Sequence, residues 1–374
     1  MANKIIQINA SVSKDIAVPL IESLKAAGLE SLTVSAGRRV LLQEKKGLAR
    51  LLGGKSLLDD PVQTLSFLVP ESNEMQMIDF IADKAMLHLP GRGSVYSRSV
   101  ELLECHPLCK EKELAPTATT RRVHQQDISC ICCIVQKGFG NDVGKVGLDT
   151  ATSIPTIIYG EGTGLRDKLG LWRITIPAEK ELITLKVSND EAADVMDMMI
   201  DRGQLDKPGM GFIFTYPLGR GILNTKFSVT SGQQVASIEQ VVAAIDDIKG
   251  STDWRKREFV TGGTGSRSRR YLTGLVNLTL VCDEGRSGDL TAAAMASGAA
   301  GATISKIKNI TFDETALKTL SPAREVSEMI VAEAQVKPIL EALRQSGAFD
   351  EETHGLLYSS PVPKACTYLG PIKS

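Results

Sequence analysis
One pattern that occurs three times along this 374-residue chain limits its possible folds more than any other feature, because a repeat of this length signals one structural unit used again. Each copy opens on an apolar strand, Lys4 to Ile8, Ser129 to Val135 and Leu275 to Val281. A Thr-centred β run follows at Leu32-Thr33-Val34, Pro155-Thr156-Ile157-Ile158 and Ala302-Thr303-Ile304, then a third strand at Thr64 to Val69, Glu181 to Val187 and Glu328 to Ala334. Each copy closes on a Gly, two variable residues, an aromatic and a hydroxyl: Gly93-Ser94-Val95-Tyr96-Ser97, Gly211-Phe212-Ile213-Phe214-Thr215 and Gly355-Leu356-Leu357-Tyr358-Ser359. From the Thr to the closing Gly the distance is 60, 55 and 52 residues. The Thr anchors step by 123 and 147 residues and the Gly anchors by 118 and 144, so both report the same duplication.

Within a copy the order strand, helix or loop, strand, strand, helix, strand predicts an α+β fold: tandem ferredoxin-like βαββαβ units. The second helix is the clearest. Ala192, Val195, Met196 and Met199 follow the i, i+3, i+4, i+7 spacing of one apolar face, behind the N-cap types Asn189 and Asp190. Met75, Ile78, Phe80 and Ile81 supply the apolar residues of the corresponding helix in copy one, and Pro338 suits a first helical turn in copy three. Gly138, Gly140, Gly144 and Gly147 argue against a full first helix in copy two, at about 1 kcal/mol each relative to Ala, and leave a short one from Asp142. The expected organisation is unit one at 1–104, a linker at 105–127, unit two at 128–221, a linker at 222–273 and unit three at 274–370. The second linker carries an amphipathic helix at 236–249 and a basic Gly/Arg segment.

The chain holds 43 Lys and Arg against 44 Asp and Glu, so nothing pulls it as a whole onto nucleic acid or an anionic membrane. No stretch approaches the roughly 20 apolar residues of a membrane span, and the start lacks the layout of a secretory signal. The expectation is a cytoplasmic protein with no nucleic-acid partner, not embedded in a membrane. Seven Cys, three of them in one β-like run (Cys130, Cys132, Cys133), favour reduced buried thiols over disulfides.

The run LITLKVSNDEAADVMDMMIDRGQLDKPGMGFIFTYPL, Leu182 to Leu218, resembles the second half of a PII nitrogen-regulatory protein. KIIQINASVSKDIAVPLIESLKAAGLESLTVSAGRR resembles the first half, and CIVQKGFGNDVGKV with TIIYGEGTGL resembles the divergent PII-like branch. PII proteins are homotrimers with adenine nucleotides in the clefts between neighbours and a loop that docks onto a regulated partner. The resemblance therefore implies a single-chain pseudo-trimer, monomeric in solution. It also implies a signal-transduction role in which ATP, ADP or AMP, with or without Mg²⁺, or another small anionic effector controls a protein partner such as an enzyme or membrane transporter. A scaffold whose ligand sites have decayed, or a metal-binding relative of trimeric form, are the alternatives.

The candidate ligand-binding residues are glycines where backbone N–H groups approach an anion closely, with cations beside them. They are Gly91, Arg92 and Gly93 in copy one and Lys207, Gly209 and Gly211 in copy two. Gly160, Gly162 and Gly164 after the strand Thr156 to Tyr159, and Gly37 and Arg38 in copy one, stand where the resemblance places the base of the docking loop. Copy three has Asp350, Glu351 and Glu352 before its closing Gly, which would repel phosphate. Its loops, like the other two, contain no Tyr of the kind that the family uridylylates.

Cys105, His106, Cys109 and His124 crowd the first linker, but no fourth ligand stands at regular spacing, and no metal site is expected. The basic stretch from Arg255 to Arg270 suits a solvated connector better than an arm that grips phosphate. There is no GxSxG, HExxH or GxxxxGKS, and the chain is not expected to be an enzyme.

Overall fold
A computed structural model describes residues 4–44, 55–89, 91–107, 114, 120–164, 179–223, 228–229, 269–313 and 316–370. The expected helix at 236–249 and most of the basic segment lie outside the described residues.

In the first third, β1 (Lys4–Val12), α1 (Lys14–Ala26), β2 (Ser31–Glu44), β3 (Lys55–Pro70), α2 (Glu74–Lys84) and β4 (Gly93–Cys105) follow one another. The second third has β5 (Ile128–Gln136), α3 (Gly140–Asp149), β6 (Thr156–Gly164), β7 (Glu179–Ser188), α4 (Asn189–Gly203) and β8 (Gly211–Pro217), then the short β9 (Gly221–Ile222) and β10 (Ser228–Val229). The last third has β11 (Leu275–Asp283), α5 (Ser287–Ala296), β12 (Gly301–Thr311), β13 (Ala323–Ala332), α6 (Val336–Gln345), β14 (Leu356–Val362) and β15 (Lys364–Thr367).

These strands form one 15-stranded sheet. From β2 the hydrogen-bonded order runs β3, β1, β4, β14, β11, β13, β12 and β6, and β6 pairs back onto β2. The expectation of tandem ferredoxin-like units assembled as a single-chain pseudo-trimer is thereby corrected: the fold is a closed, nine-stranded antiparallel β-barrel, with six short helices among the described residues. Spacing along the chain reports which elements follow one another, whereas closure depends on which edges meet. β4 is 13 residues long rather than a short closing strand, which lets it pair with β14 as well as β1. β6 likewise runs through Gly164, past the Tyr159 where the sequence suggested a loop, and its extra residues pair with β12 from Gly301 to Ile304.

Strand alternation gives the sheet two faces. On β5, Ile131, Cys133 and Val135 join a core roofed by α3 and α4, while Cys130 and Cys132 join a separate cluster with Tyr96, Phe214 and Tyr216. Equivalent helix-covered cores lie under α1 with α2 and under α5 with α6. Burial pushes the thiol pKa values of Cys130, Cys132 and Cys133 upward. Native protein should therefore leave these three thiols unreacted with an aromatic disulfide reagent at pH 8 and expose them all in urea; fast native labelling at these positions would contradict the packing.

The doubted helix of the second third does form, from Gly140 to Asp149. Its glycines cost helix propensity but allow contact: a Cβ at Gly147 would sit 2.7 Å from the Ser153 carbonyl oxygen and 2.9 Å from Leu185 Cδ2. Overpacking of this kind costs about 1–3 kcal/mol, more than the roughly 1 kcal/mol that Ala gains in a helix. Gly147→Ala should thus lower urea stability. Gly288→Ala in α5, where a Cβ meets nothing within 4 Å, should raise it by up to about 1 kcal/mol.

Candidate functional site
A cleft of about 280 Å³ opens where the first and second thirds of the chain meet. β1, β2 and β4 contribute Ser11, Arg39 and Ser94, and the segment after α3 with β6 and β7 contributes Ser153, Thr156 and Lys186. The register explains the meeting: Arg39 on β2 lies directly across from Thr156 on β6, and Lys186 on β7 lies across from Cys130 on β5.

Two buried cations face this cleft, and they differ in how they are compensated. The Arg39 guanidinium donates through Nε to Asp60 Oδ2 at 3.0 Å, pairs with the same carboxylate through Nη2, and reaches the Gly91 carbonyl oxygen at 3.4 Å. Lys186 is 7% exposed, and no carboxylate is among its hydrogen-bond partners in the described residues. Its Nζ donates to the Thr184 and Thr156 hydroxyls at 3.0 and 3.4 Å and stands 5.4 Å from the Tyr96 ring centre. Burial lowers the Lys186 pKa. The Ser11 hydroxyl beside the cleft is buried with no hydrogen-bond partner. An ammonium that has lost water and gained two hydroxyls and an aromatic ring is only partly compensated, and an anion entering the cleft would supply the missing charge.

The residues singled out by sequence fall around this cleft rather than in it. Arg38 points to the opposite face from Arg39, where it donates to Asp59 Oδ1 at 2.6 Å and Glu181 Oε1 at 3.1 Å and bonds the Asn141 side chain. Desolvation works against its charge, but Tyr159 and these carboxylates outweigh that and raise its pKa. Glu181 in turn accepts from the Gly138 and Gly140 amides at 2.9 and 2.7 Å and so satisfies the start of α3. Gly37 brings β2 against Ile157 and Ile158 of β6, and Gly160 brings β6 against Ile304 and Ser305 of β12. Gly162 and Gly164 sit in the β6–β12 pairing.

Gly91 and Gly93 make the turn into β4, next to Ser94 of the cleft, while Arg92 donates to the Ala85 carbonyl oxygen at 3.1 Å beyond α2. Gly209 and Gly211 make the matching turn into β8; the Gly209 carbonyl oxygen accepts from Gln136 Nε2 at 3.2 Å, and the Lys207 ammonium is bound to Gln204 Oε1 at 2.8 Å. The structure therefore brings Gly37, Arg38, Gly160, Gly162 and Gly164 to the strand contacts that close the barrel. It sets the copy-two turn with Lys207 apart from that group.

Sequence reasoning missed Arg39 and Lys186. The signal for Lys186 was available: in Leu182-Ile183-Thr184-Leu185-Lys186-Val187 it is the one charged residue inside an apolar strand, with Ile183, Leu185 and Val187 alternating to the helix-covered core. For Arg39 no local signal separates it from Arg38, because only the pairing of β2 with β6 decides which of the two meets the cleft.

A smaller cavity of about 100 Å³ lies between the first and last thirds, with Gln7, Arg324 and Tyr358 in its lining. There the guanidinium has partners: Arg324 Nε lies 3.4 Å from Asp283 Oδ1, and Nη2 donates to the His354 carbonyl oxygen. The sequence matches no protein-family model, and no curated protein is significantly similar to it. The resemblance to PII proteins thus rests on the quoted motifs alone.

Replacing the Lys186 ammonium by an apolar group of similar length should relieve its desolvation, so Lys186→Met should match or exceed the parent in stability by about 1–4 kcal/mol at pH 7. The pH dependence carries a second signature. Below its folded pKa Lys186 is charged in both states and the full cost of burial is present. Between that lowered value and about 10.5, the unfolded chain binds more protons, so stability gains from this group as pH rises, by at most about 1.4 kcal/mol per pH unit. Urea titrations at pH 8 and pH 10 should show this gain in the parent relative to Lys186→Met; equal pH responses would mean that the amine is solvated.

Proposed function
We propose that the protein is a regulatory binding protein that takes a small anionic effector into the cleft between Arg39 and Lys186. The observation that carries this is the buried Lys186 ammonium, held by two threonine hydroxyls and the Tyr96 ring in the wall of a cavity large enough for a small molecule. At about 280 Å³ the cleft lies at the lower edge of small-molecule sites, roughly 300–1,000 Å³, which suits a mononucleotide or smaller anion and not a polymer. An adenine nucleotide, with or without Mg²⁺, is the effector class that the PII resemblance implies. The same resemblance supports control of a protein partner, an enzyme or a transporter, through the chain's loops, with no chemistry performed on the effector.

A cytoplasmic location and a monomeric state of 40.2 kDa complete the reading. Among the described residues no helix is long and apolar enough to cross a membrane.

The test is calorimetric titration with ATP, ADP, AMP, cyclic AMP and inorganic phosphate, with and without Mg²⁺. One saturable site is expected. Loss of a charge-assisted bond worth about 1.5–3 kcal/mol should weaken it at least tenfold in Lys186→Met. Arg92→Ala, whose guanidinium serves the turn after α2, should bind like the parent. Silence across the panel would favour the scaffold reading, in which the cleft holds no ligand.

A further inference from the structure
The first linker and the acidic turn of the last third, each set aside as a site from sequence, meet in space. His106 follows the end of β4, and its amide donates to the Gly355 carbonyl oxygen at 2.8 Å, which pins it beside the turn leading into β14. That turn closes through the Thr353 and His354 amides donating to the Asp350 carbonyl oxygen at 3.0 and 2.9 Å. It carries Glu351 and His354 toward His106, and His354 adopts a left-handed backbone at φ 48°, a conformation costly for a non-glycine residue. Both imidazoles are buried, with ring centres 4.9 Å apart edge to face.

We infer that His106, His354 and Glu351 form a binding site for a divalent transition-metal ion of the zinc class. One ligand atom from each of the three lies within 4.8 Å of the other two. The Glu351 carboxylate already approaches His106 Nε2 at 3.4 Å. His354 is oriented from behind: its Nδ1 meets Asp283 Oδ2 at 2.8 Å, which assigns Nε2 as the ligand atom. Asp283 is itself fixed at the end of β11 by Arg324, 3.4 Å away. A carboxylate that holds the far nitrogen of a ligating imidazole is the recurrent outer support of such sites, because it sets the tautomer and raises ligand basicity.

Two imidazoles and one carboxylate suit zinc and its first-row neighbours and are too nitrogen-rich for calcium or magnesium. Bonds of about 2.0–2.2 Å place tetrahedral ligand atoms roughly 3.3 Å apart, so separations of up to 4.8 Å must close by as much as about 1.5 Å. Glu351, whose side chain is 81% exposed, can make that movement. The same exposure leaves the fourth position open to water or a small ligand. His124, also noted in the linker, is not part of this group: its Nε2 is bound to Asp79 Oδ1 at 2.8 Å.

The test uses the full chain, with thiols kept reduced, and competes Zn²⁺ between the protein and a chromophoric chelator. One equivalent is expected to bind, about tenfold more weakly in Glu351→Gln and 100-fold or more in His106→Gln and His354→Gln. Co²⁺ in place of Zn²⁺ should give the intense visible bands of a low-coordinate site without a sulfur-to-cobalt charge-transfer band. Glu351→Gln changes only a surface side chain, so it remains decisive if either His variant fails to fold. The inference is overturned if the parent takes up no stoichiometric Zn²⁺, if Glu351→Gln binds as tightly as the parent, or if the cobalt spectrum shows thiolate ligation by Cys105 or Cys109.

Discussion
The barrel depends on the mutual pairing of three strands, β2, β6 and β12. They meet head to tail in rotation. The start of β2, Ser31 to Val34, pairs with the end of β12, Lys308 to Thr311. The start of β12, Gly301 to Ile304, pairs with the end of β6, Glu161 to Gly164. The start of β6, at Thr156 and Ile157, pairs with Arg39 and Arg38 in the middle of β2. Each strand thereby gives its outer edge to a neighbour from another third of the chain. Unpaired backbone N–H and C=O groups are costly when buried and invite aggregation when exposed, and ring closure removes both problems.

Closure also decides where charge can sit. One face of the sheet is roofed by helices and filled with Leu, Ile, Val and Met. The other face carries polar residues among aromatics. Arg98 stacks on Tyr216 with its guanidinium carbon 4.1 Å from the ring centre and bonds the Ser360 hydroxyl, and Gln7 Nε2 donates to the Tyr358 hydroxyl at 2.9 Å. Lys186 belongs to this second face and lies where two thirds of the chain leave a gap. The cleft and the His106–His354 pair each hold a buried nitrogen base positioned by its neighbours. They differ in compensation, since His354 has the Asp283 carboxylate behind it and Lys186 has threonine hydroxyls and the Tyr96 ring.

Much of the local architecture was legible. The strands expected at Lys4, Ser129 and Leu275 all form, and the helix expected from Asp190 to Ile200 forms as α4. These features are written in period-two and period-3.6 patterns that a chain carries by itself. The α3 glycines misled for a physical reason: helix propensity is a local cost, and contact with Ser153 and Leu185 is a tertiary gain that overrides it. The site was less legible. Arg38 was chosen and Arg39 is the residue at the cleft, because strand alternation sends neighbours to opposite faces and only the partner strand identifies which face matters.

By itself the sequence determined the succession of strands and helices, the threefold recurrence of that succession, and the burial of Cys130, Cys132 and Cys133 in an apolar strand. Only the tertiary structure decided that the strands join into one closed barrel, that Lys186 faces a cavity with Arg39, and that His106 meets His354 across 248 residues of chain. Periodicity and propensity act between residues a few positions apart. Edge pairing, charge compensation and ligand convergence act between atoms a few ångströms apart, and that distance does not exist until the chain has folded.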